Sequence, residues 1–123
     1  MITFRVDGKP IPQGSMKVIH GNIIHSQGSA LAAWRAAVGL SAKYAGAKPH
    51  GDPVEIRLIF IMARPRTVTR LEPSVPPDLD KLVRAVLDGL TAIAYRDDAQ
   101  VTTLSATKEY GDRPGVQVYI AKK

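Results

Sequence analysis

Between Asp78 and Ala94, apolar residues recur with the spacing of an α-helix. They fall at relative positions 0, 3, 4, 7, 11 and 14, and they are Leu79, Leu82, Val83, Val86, Leu90 and Ile93. This spacing places them along one side of a helix and leaves the opposite side polar. A helix with a single apolar side needs a second layer to cover that side. The segment therefore predicts a helix from residue 78 to about residue 94 that packs on another element.

The rest of the chain predicts four strands, a hairpin and one more helix. Alternating apolar residues or β-branched residues indicate the strands, at 2–6, 54–62, 101–108 and 116–120. A Gly-Asn pair indicates a hairpin over 18–25, and a second helix is indicated over 29–44. We therefore expect one α+β domain over residues 1–123, with a small mixed sheet and two main helices packed on it.

The chain is basic, but many of its acidic residues are concentrated in one segment. Lys and Arg total 17 against 11 Asp and Glu, which gives a net charge of +6 and favours an anionic partner such as nucleic acid. Residues 78–98 nevertheless contain five Asp and only three basic residues. Carboxylates repel phosphate unless a divalent cation lies between them. An acidic segment in a basic protein therefore indicates metal-dependent phosphodiester chemistry.

The same acidic residues also have an ordinary structural interpretation. Asp78 stands where it can cap a helix, Asp97-Asp98 is a common turn pair, and Asp80 and Arg84 are spaced as a helical ion pair. On a regular helix, the Asp78 and Asp80 side chains point in different directions. They converge only if Asp78 is extended and precedes the helix, which the preceding prolines favour.

The second half of the strand at 54–62 is apolar on both faces, so we expect a central strand that is covered on both sides there.

Residues 63–77 follow this strand without any helix or strand pattern. The segment 63–77 contains four prolines, and Arg64, Arg66 and Arg70 face a single acidic residue. A structureless stretch of this length in a small domain is usually functional or mobile. We expect a mobile loop that contacts the DNA backbone, with a merely solvated linker as the alternative.

The chain lacks the residues that several classes of function require. The absence of cysteine excludes a disulfide scaffold, a thiolate nucleophile and a Cys-ligated metal site. His20, His25 and His50 do not have metal-ligand spacing, and no phosphate-binding loop or dinucleotide fingerprint occurs, so we expect no nucleotide cofactor. The longest apolar run, 58–63, is far shorter than a membrane helix, and we expect a cytoplasmic protein without a membrane partner.

Two segments resemble the RusA family of Holliday-junction resolvases. They are PDLDKLVRAVLDGL at 77–90 and YRDDAQV at 95–101. The resemblance implies a RusA-like α+β homodimer that cuts four-way DNA junctions with Mg²⁺, for which Mn²⁺ substitutes. It also implies a bacterial cytoplasmic enzyme of phage or prophage type.

The resemblance assigns roles to the carboxylates by position. It places the essential metal ligands on Asp78, Asp80 and Asp98, with Asp97 as a close alternative. Together they would hold one or two Mg²⁺ ions.

The resemblance also implies roles for cationic side chains. The family's helix lysine falls on Arg84, and its asparagine is replaced by Lys81. Arginine cannot give up a proton near neutral pH, so Arg84 can replace the lysine as a phosphate clamp but not as a proton donor. We expect Arg84 or Lys81 to hold a phosphate oxygen. The residues expected to contact DNA are Arg64, Arg66, Arg70 and Lys17.

Two other function classes remain open at this point. The first is a basic DNA-binding module of phage or prophage type without catalysis, in which the acidic residues are caps and ion-pair partners. The second is an Asp-x-Asp metal enzyme acting on nucleotide sugars, for which the chain is too short to add a nucleotide-binding domain. Dependence of activity on a divalent metal separates an enzyme from a module that only binds.

Overall fold

The structure, a computed structural model, describes residues 1–14, 16–19, 22–25 and 28–123. In chain order the elements are β1 (Ile2–Asp7), β2 (Met16–Ile19), β3 (Asn22–His25), α1 (Gly28–Tyr44), β4 (Val54–Met62), α2 (Leu79–Leu90), a 3₁₀ turn (Asp98–Gln100), β5 (Val101–Tyr110) and β6 (Gly115–Lys122). The expected α+β class is therefore confirmed. Within these ranges, no helix is long and apolar enough to cross a membrane.

Four strands form one mixed sheet, and two strands form a separate hairpin. The order in the sheet is β1-β6-β4-β5, with β4 and β5 parallel and the other neighbours antiparallel. The central position predicted for β4 is confirmed. Strands β2 and β3 pair antiparallel, so the predicted hairpin is confirmed, but Asn22 belongs to β3 and pairs with Ile19, so it is not the turn residue that the Gly-Asn pair predicts. The predicted turn residue Gly21 lies outside the described residues, as does His20.

The core lies between the two helices and one face of the sheet. On β4, Ile56, Leu58 and Phe60 are fully buried in a cluster that includes the apolar sides of both helices. On the opposite face of β4, Ile61 is buried but Ile59 stays partly exposed. The expected cover on both sides of β4 is thus found only at the end of the strand. The reason is that α1 and α2 both contribute to the same core cluster and leave the other face largely open.

Helix α2 is shorter than its apolar spacing predicts. It begins at Leu79 and ends at Leu90, four residues before the predicted end at Ala94. The backbone carbonyl of Leu87 accepts hydrogen bonds from the Thr91 amide (3.1 Å), the Thr91 hydroxyl (3.0 Å) and the Tyr95 hydroxyl (2.8 Å). These bonds turn the chain back toward the helix. Ile93, the last residue of the predicted apolar stripe, therefore still packs against the core, although it is only partly buried and is not helical.

Candidate active site

Asp78 and Asp80, called the helix pair below, stand at the start of α2. Asp78 is extended (φ −69°, ψ 138°) and occupies the N-cap position, but its side chain makes no capping hydrogen bond. The extended conformation that convergence of the two carboxylates requires is therefore confirmed. Both residues are exposed, and neither joins an ion pair with any residue that the structure describes. Neighbouring carboxylates without protein partners are suited to a hard divalent cation.

Lys108 fixes the segment that leads into the helix pair. Its ammonium group donates hydrogen bonds to the backbone carbonyls of Val75 and Pro77, both at 2.8 Å. Pro77 directly precedes Asp78, so β5 holds the backbone on which the first carboxylate is mounted. The motif search missed Lys108 because no motif contains it. Its position was nevertheless readable, because it breaks the apolar alternation on the core-facing side of the strand, where it pairs with Phe60.

Asp97 and Asp98, called the turn pair below, begin the 3₁₀ turn and differ in their bonding. The Asp97 carboxylate accepts a hydrogen bond from the Ala99 amide at 2.8 Å, so it caps the turn. Asp98 is exposed and joins no ion pair among the described residues. Of the two adjacent carboxylates, Asp98 is therefore the one left available for a metal.

Gln100 builds the turn that presents Asp98, and the motif search assigned it no role. Its side-chain oxygen accepts hydrogen bonds from the Arg96 and Asp97 amides at 2.9 Å. Its side-chain amide donates to the carbonyls of His50 and Asp52 at 2.8 Å. A single glutamine thus satisfies four backbone groups, which explains why a glutamine stands two residues after the turn pair.

Tyr95 ties the turn pair to the C-terminal end of α2. Its side chain is fully buried, and its hydroxyl donates to the Leu87 carbonyl. Burial is the main cause that raises the pKa of Tyr95, and the negative charges of Asp98 and Asp88 raise it further. The phenol therefore stays neutral, and its role is to hold the chain between α2 and the 3₁₀ turn.

The helix pair and the turn pair lie at opposite ends of the domain. Helix α2 has 12 residues and is about 18 Å long, with the helix pair at its start and the turn pair after its end. Strand β5 rises by about 23 Å between Val101, which follows the 3₁₀ turn, and Lys108, which binds Pro77. No three His, Asp or Glu side chains in the described part of the chain form a group able to hold a metal ion. A single copy therefore does not bring Asp98 to the helix pair.

Arg84 is exposed on α2, one turn after Asp80. The ion pair with Asp80 that the spacing allows is not formed in the described structure, and Asp88, one turn further along α2, pairs instead with Arg35 of α1 at 2.9 Å. The guanidinium group is thus available for a ligand near the helix pair. Lys81 is partly buried, so its side chain is less accessible than that of Arg84.

The segment 63–77 contains no helix or strand, as predicted, but two of its three arginines are held in place. The Arg64 guanidinium lies over the Tyr110 ring, 4.5 Å from its centroid, and donates to the Arg70 carbonyl at 2.5 Å. Arg70 donates to the Tyr110 hydroxyl at 3.0 Å. Arg66 is exposed. The side chain of Lys17 lies outside the described part of the structure.

Comparison with known proteins identifies the family of the chain. The profile of the family described as endodeoxyribonuclease RusA matches residues 7–121, which include both carboxylate pairs, β4, β5 and nearly all of β6, whereas β1 lies almost wholly before the match. The chain is also 42% identical over 50 residues to "Uncharacterized protein YqaN" of Bacillus subtilis (strain 168). That match covers 41% of this chain and 35% of the relative, so the chain spans about a third of the relative's length. The family match covers nearly the whole chain, which therefore belongs to the RusA endodeoxyribonuclease family.

Proposed function

We propose that the protein is a divalent-metal-dependent endodeoxyribonuclease that resolves four-way DNA junctions by paired phosphodiester hydrolysis. The observation that carries this proposal is the helix pair, two exposed carboxylates without protein partners in a family of DNA-cutting enzymes. The net charge of +6 supports binding of the DNA backbone around this acidic site.

The donor set of one copy fits a divalent cation only in part. Asp78 and Asp80 supply hard oxygen ligands, but the exposed Asp98 is too distant to join them. We therefore infer that Asp98 of a second copy completes each site in a homodimer. Mg²⁺ or Mn²⁺ held by these three carboxylates would lower the pKa of a bound water and neutralise charge on the scissile phosphate.

Arg84 is assigned to the phosphate. It carries a permanent charge, it lies on the same helix as the metal ligands, and it forms no ion pair with a described residue. A guanidinium that holds a non-bridging oxygen stabilises the charge that develops in the transition state. Lys81 is the second candidate for this contact. The products would carry 5′-phosphate and 3′-hydroxyl ends.

A homodimer with composite sites suits a junction substrate. A two-fold axis generates two equivalent sites, and an open four-way junction presents two equivalent strands. Paired cuts across the junction would leave two duplexes whose nicks can be ligated. The same arrangement explains why a small domain carries its two carboxylate pairs at opposite ends.

The alternative, a DNA-binding module without catalysis, requires the acidic residues to serve as caps and ion-pair partners. Asp97 does cap the 3₁₀ turn. Asp78, however, makes no capping bond, and Asp80 forms no ion pair with Arg84 in the described residues. The helix pair thus lacks the structural role that this alternative assigns to it.

Incubation with a mobile four-way junction tests the proposed function. We expect symmetric cleavage in Mg²⁺, no cleavage in EDTA, and much slower cleavage of linear duplex and flap substrates with the same sequence. Asp80→Asn should bind the junction and leave it uncut, whereas Asp112→Asn, an exposed carboxylate distant in sequence from both pairs, should cut normally. Tight junction binding without cleavage in Mg²⁺ or Mn²⁺ would establish the non-catalytic module instead.

A further inference from the structure

A cavity of about 440 Å³ opens beside the helix pair, between the segment 63–77 and the ends of β4 and β5. Six prolines line it, together with Met62, Val75 and Tyr110. Three cationic residues, Lys9, Arg70 and Lys108, also line it, and no carboxylate does. Its volume falls within the roughly 300–1,000 Å³ of sites that bind small molecules.

The walls of this cavity are held in place before any ligand arrives. Proline rings have fixed backbone φ angles and little freedom to lose on binding. Lys108 holds the carbonyls of Val75 and Pro77, and Arg70 donates to the Tyr110 hydroxyl. A ligand therefore meets a preformed apolar surface and does not have to order a loop.

The chemistry of the lining indicates a flat apolar ligand that carries negative charge. Proline rings and the tyrosine ring offer apolar contacts to a planar ring, and the cations at the wall attract an anion. Lys9 is exposed and makes no ion pair among the described residues, so its charge is available. A nucleotide combines these two properties, since a planar base is linked to a phosphate.

The position of the cavity links it to the DNA strand that is cut. Pro77 lines the cavity and directly precedes Asp78, so the wall of the cavity at Pro77 continues into the helix pair. A nucleotide whose phosphate lies at the helix pair has its neighbour along the strand within reach of the cavity. Unstacking a base costs least where the stack is already interrupted, as at the branch point of a junction.

We propose that this cavity binds one unstacked nucleotide of the DNA substrate, adjacent to the scissile phosphate. The proposal rests on the proposed function, because that function places DNA at the helix pair. It adds a second contact that fixes where the strand lies along the active site. An occupied cavity selects branched DNA over a continuous duplex, because a continuous duplex resists the loss of stacking.

Fluorescence of 2-aminopurine tests the proposal without requiring cleavage. The base is placed at each branch-point nucleotide in turn, and the junction is saturated with the Asp80→Asn protein in Mg²⁺. At one position, emission should rise about threefold or more, because the base leaves the stack. Val75→Trp, which fills the cavity, should abolish most of this rise. Leu71→Trp is the matched control, since Leu71 is 84% exposed in the same segment and does not line the cavity, and it should retain the rise.

A second variant keeps the test decisive if the filled cavity does not fold. Lys9→Glu should shift the 2-aminopurine titration to several-fold higher protein concentration, whereas Lys43→Glu on α1 should shift it less. Unchanged emission at every branch-point position, with a wild-type enzyme that cuts the junction, would overturn the cavity proposal and leave the proposed function standing. A rise in emission with a wild-type protein that never cuts would support the cavity and overturn the proposed function.

Discussion

The ammonium nitrogen of Lys108 lies 2.8 Å from the backbone carbonyl oxygen of Pro77, the residue that precedes the first carboxylate of the helix pair. It makes the same contact with the Val75 carbonyl. These two bonds join the far end of β5 to the start of α2. The geometry of the proposed metal site thus depends on a lysine that is not one of its proposed ligands.

Lys108→Met should weaken metal binding more than DNA binding. The change keeps the unbranched stem of the side chain but removes the charged donor from two carbonyls that water can partly solvate, so stability should fall by about 1 kcal/mol. Cleavage of the junction should require a higher Mg²⁺ concentration, and junction affinity should change little. Lys108→Arg should recover part of the loss. A wild-type Mg²⁺ dependence in Lys108→Met would remove this positioning role.

Arg84→Ala should lower junction cleavage by about 10²-fold or more, the effect of removing one preorganised donor to a developing charge. Arg84→Lys should keep measurable cleavage, because the positive charge is retained although the two-pronged geometry is lost. Thermal denaturation should show little change in either variant, since the side chain is exposed and forms no ion pair in the described structure. Near-normal single-turnover cleavage by a well-folded Arg84→Ala would refute the role in catalysis.

The turn pair should respond unequally to the same substitution. Asp98→Asn should abolish cleavage, because it removes a metal-ligand charge. Asp97→Asn should be mild, since asparagine also accepts the capping bond from the Ala99 amide. Cleavage assays on both purified variants show which of the two carboxylates is needed for cleavage. An inactive Asp97→Asn with an active Asp98→Asn would show that the assignment is displaced by one residue.

Arg66 should contribute to DNA binding through charge alone. It is exposed, whereas Arg64 and Arg70 are tied to Tyr110, so its removal leaves the segment 63–77 folded. Arg66→Ala should weaken binding equally for different sequences and reduce the slope of log affinity against log salt by about one. The check is a salt titration of junction binding. An identical slope in the variant would favour a solvated linker at this position.

Much of the fold was predictable because local patterns and tertiary packing agree. Apolar residues alternate along β4 and β6, and they line one side of α2. These apolar faces are buried when they pack against one another, and the structure packs them in this way. The extended Asp78 followed from the prolines before it. The end of α2 was not predictable, because no glycine or proline directly follows Leu90 and Gly89 lies inside the helix. Side-chain bonds from Thr91 and Tyr95 to the Leu87 carbonyl end the helix instead.

The candidate site was predictable residue by residue but not as an arrangement. The resemblance to the RusA family identifies Asp78, Asp80 and Asp98 as candidate metal ligands. It does not reveal that α2 and β5 separate the helix pair from the turn pair, because that distance depends on the direction of two packed elements. The hydrogen bonds of Lys108 and Gln100 likewise could not be predicted, because their backbone partners lie far away along the chain.

Mixing two inactive variants tests most directly whether the active site is built from two copies. Asp80→Asn and Asp98→Asn proteins are each purified, mixed under conditions that exchange subunits, and assayed on a four-way junction in Mg²⁺. In a mixed dimer with composite sites, one site carries both substitutions and the other carries neither. We therefore predict that the mixture nicks the junction although each variant alone does not. Mixed dimers that form, as shown by native mass spectrometry, and still leave the junction uncut would contradict the composite site.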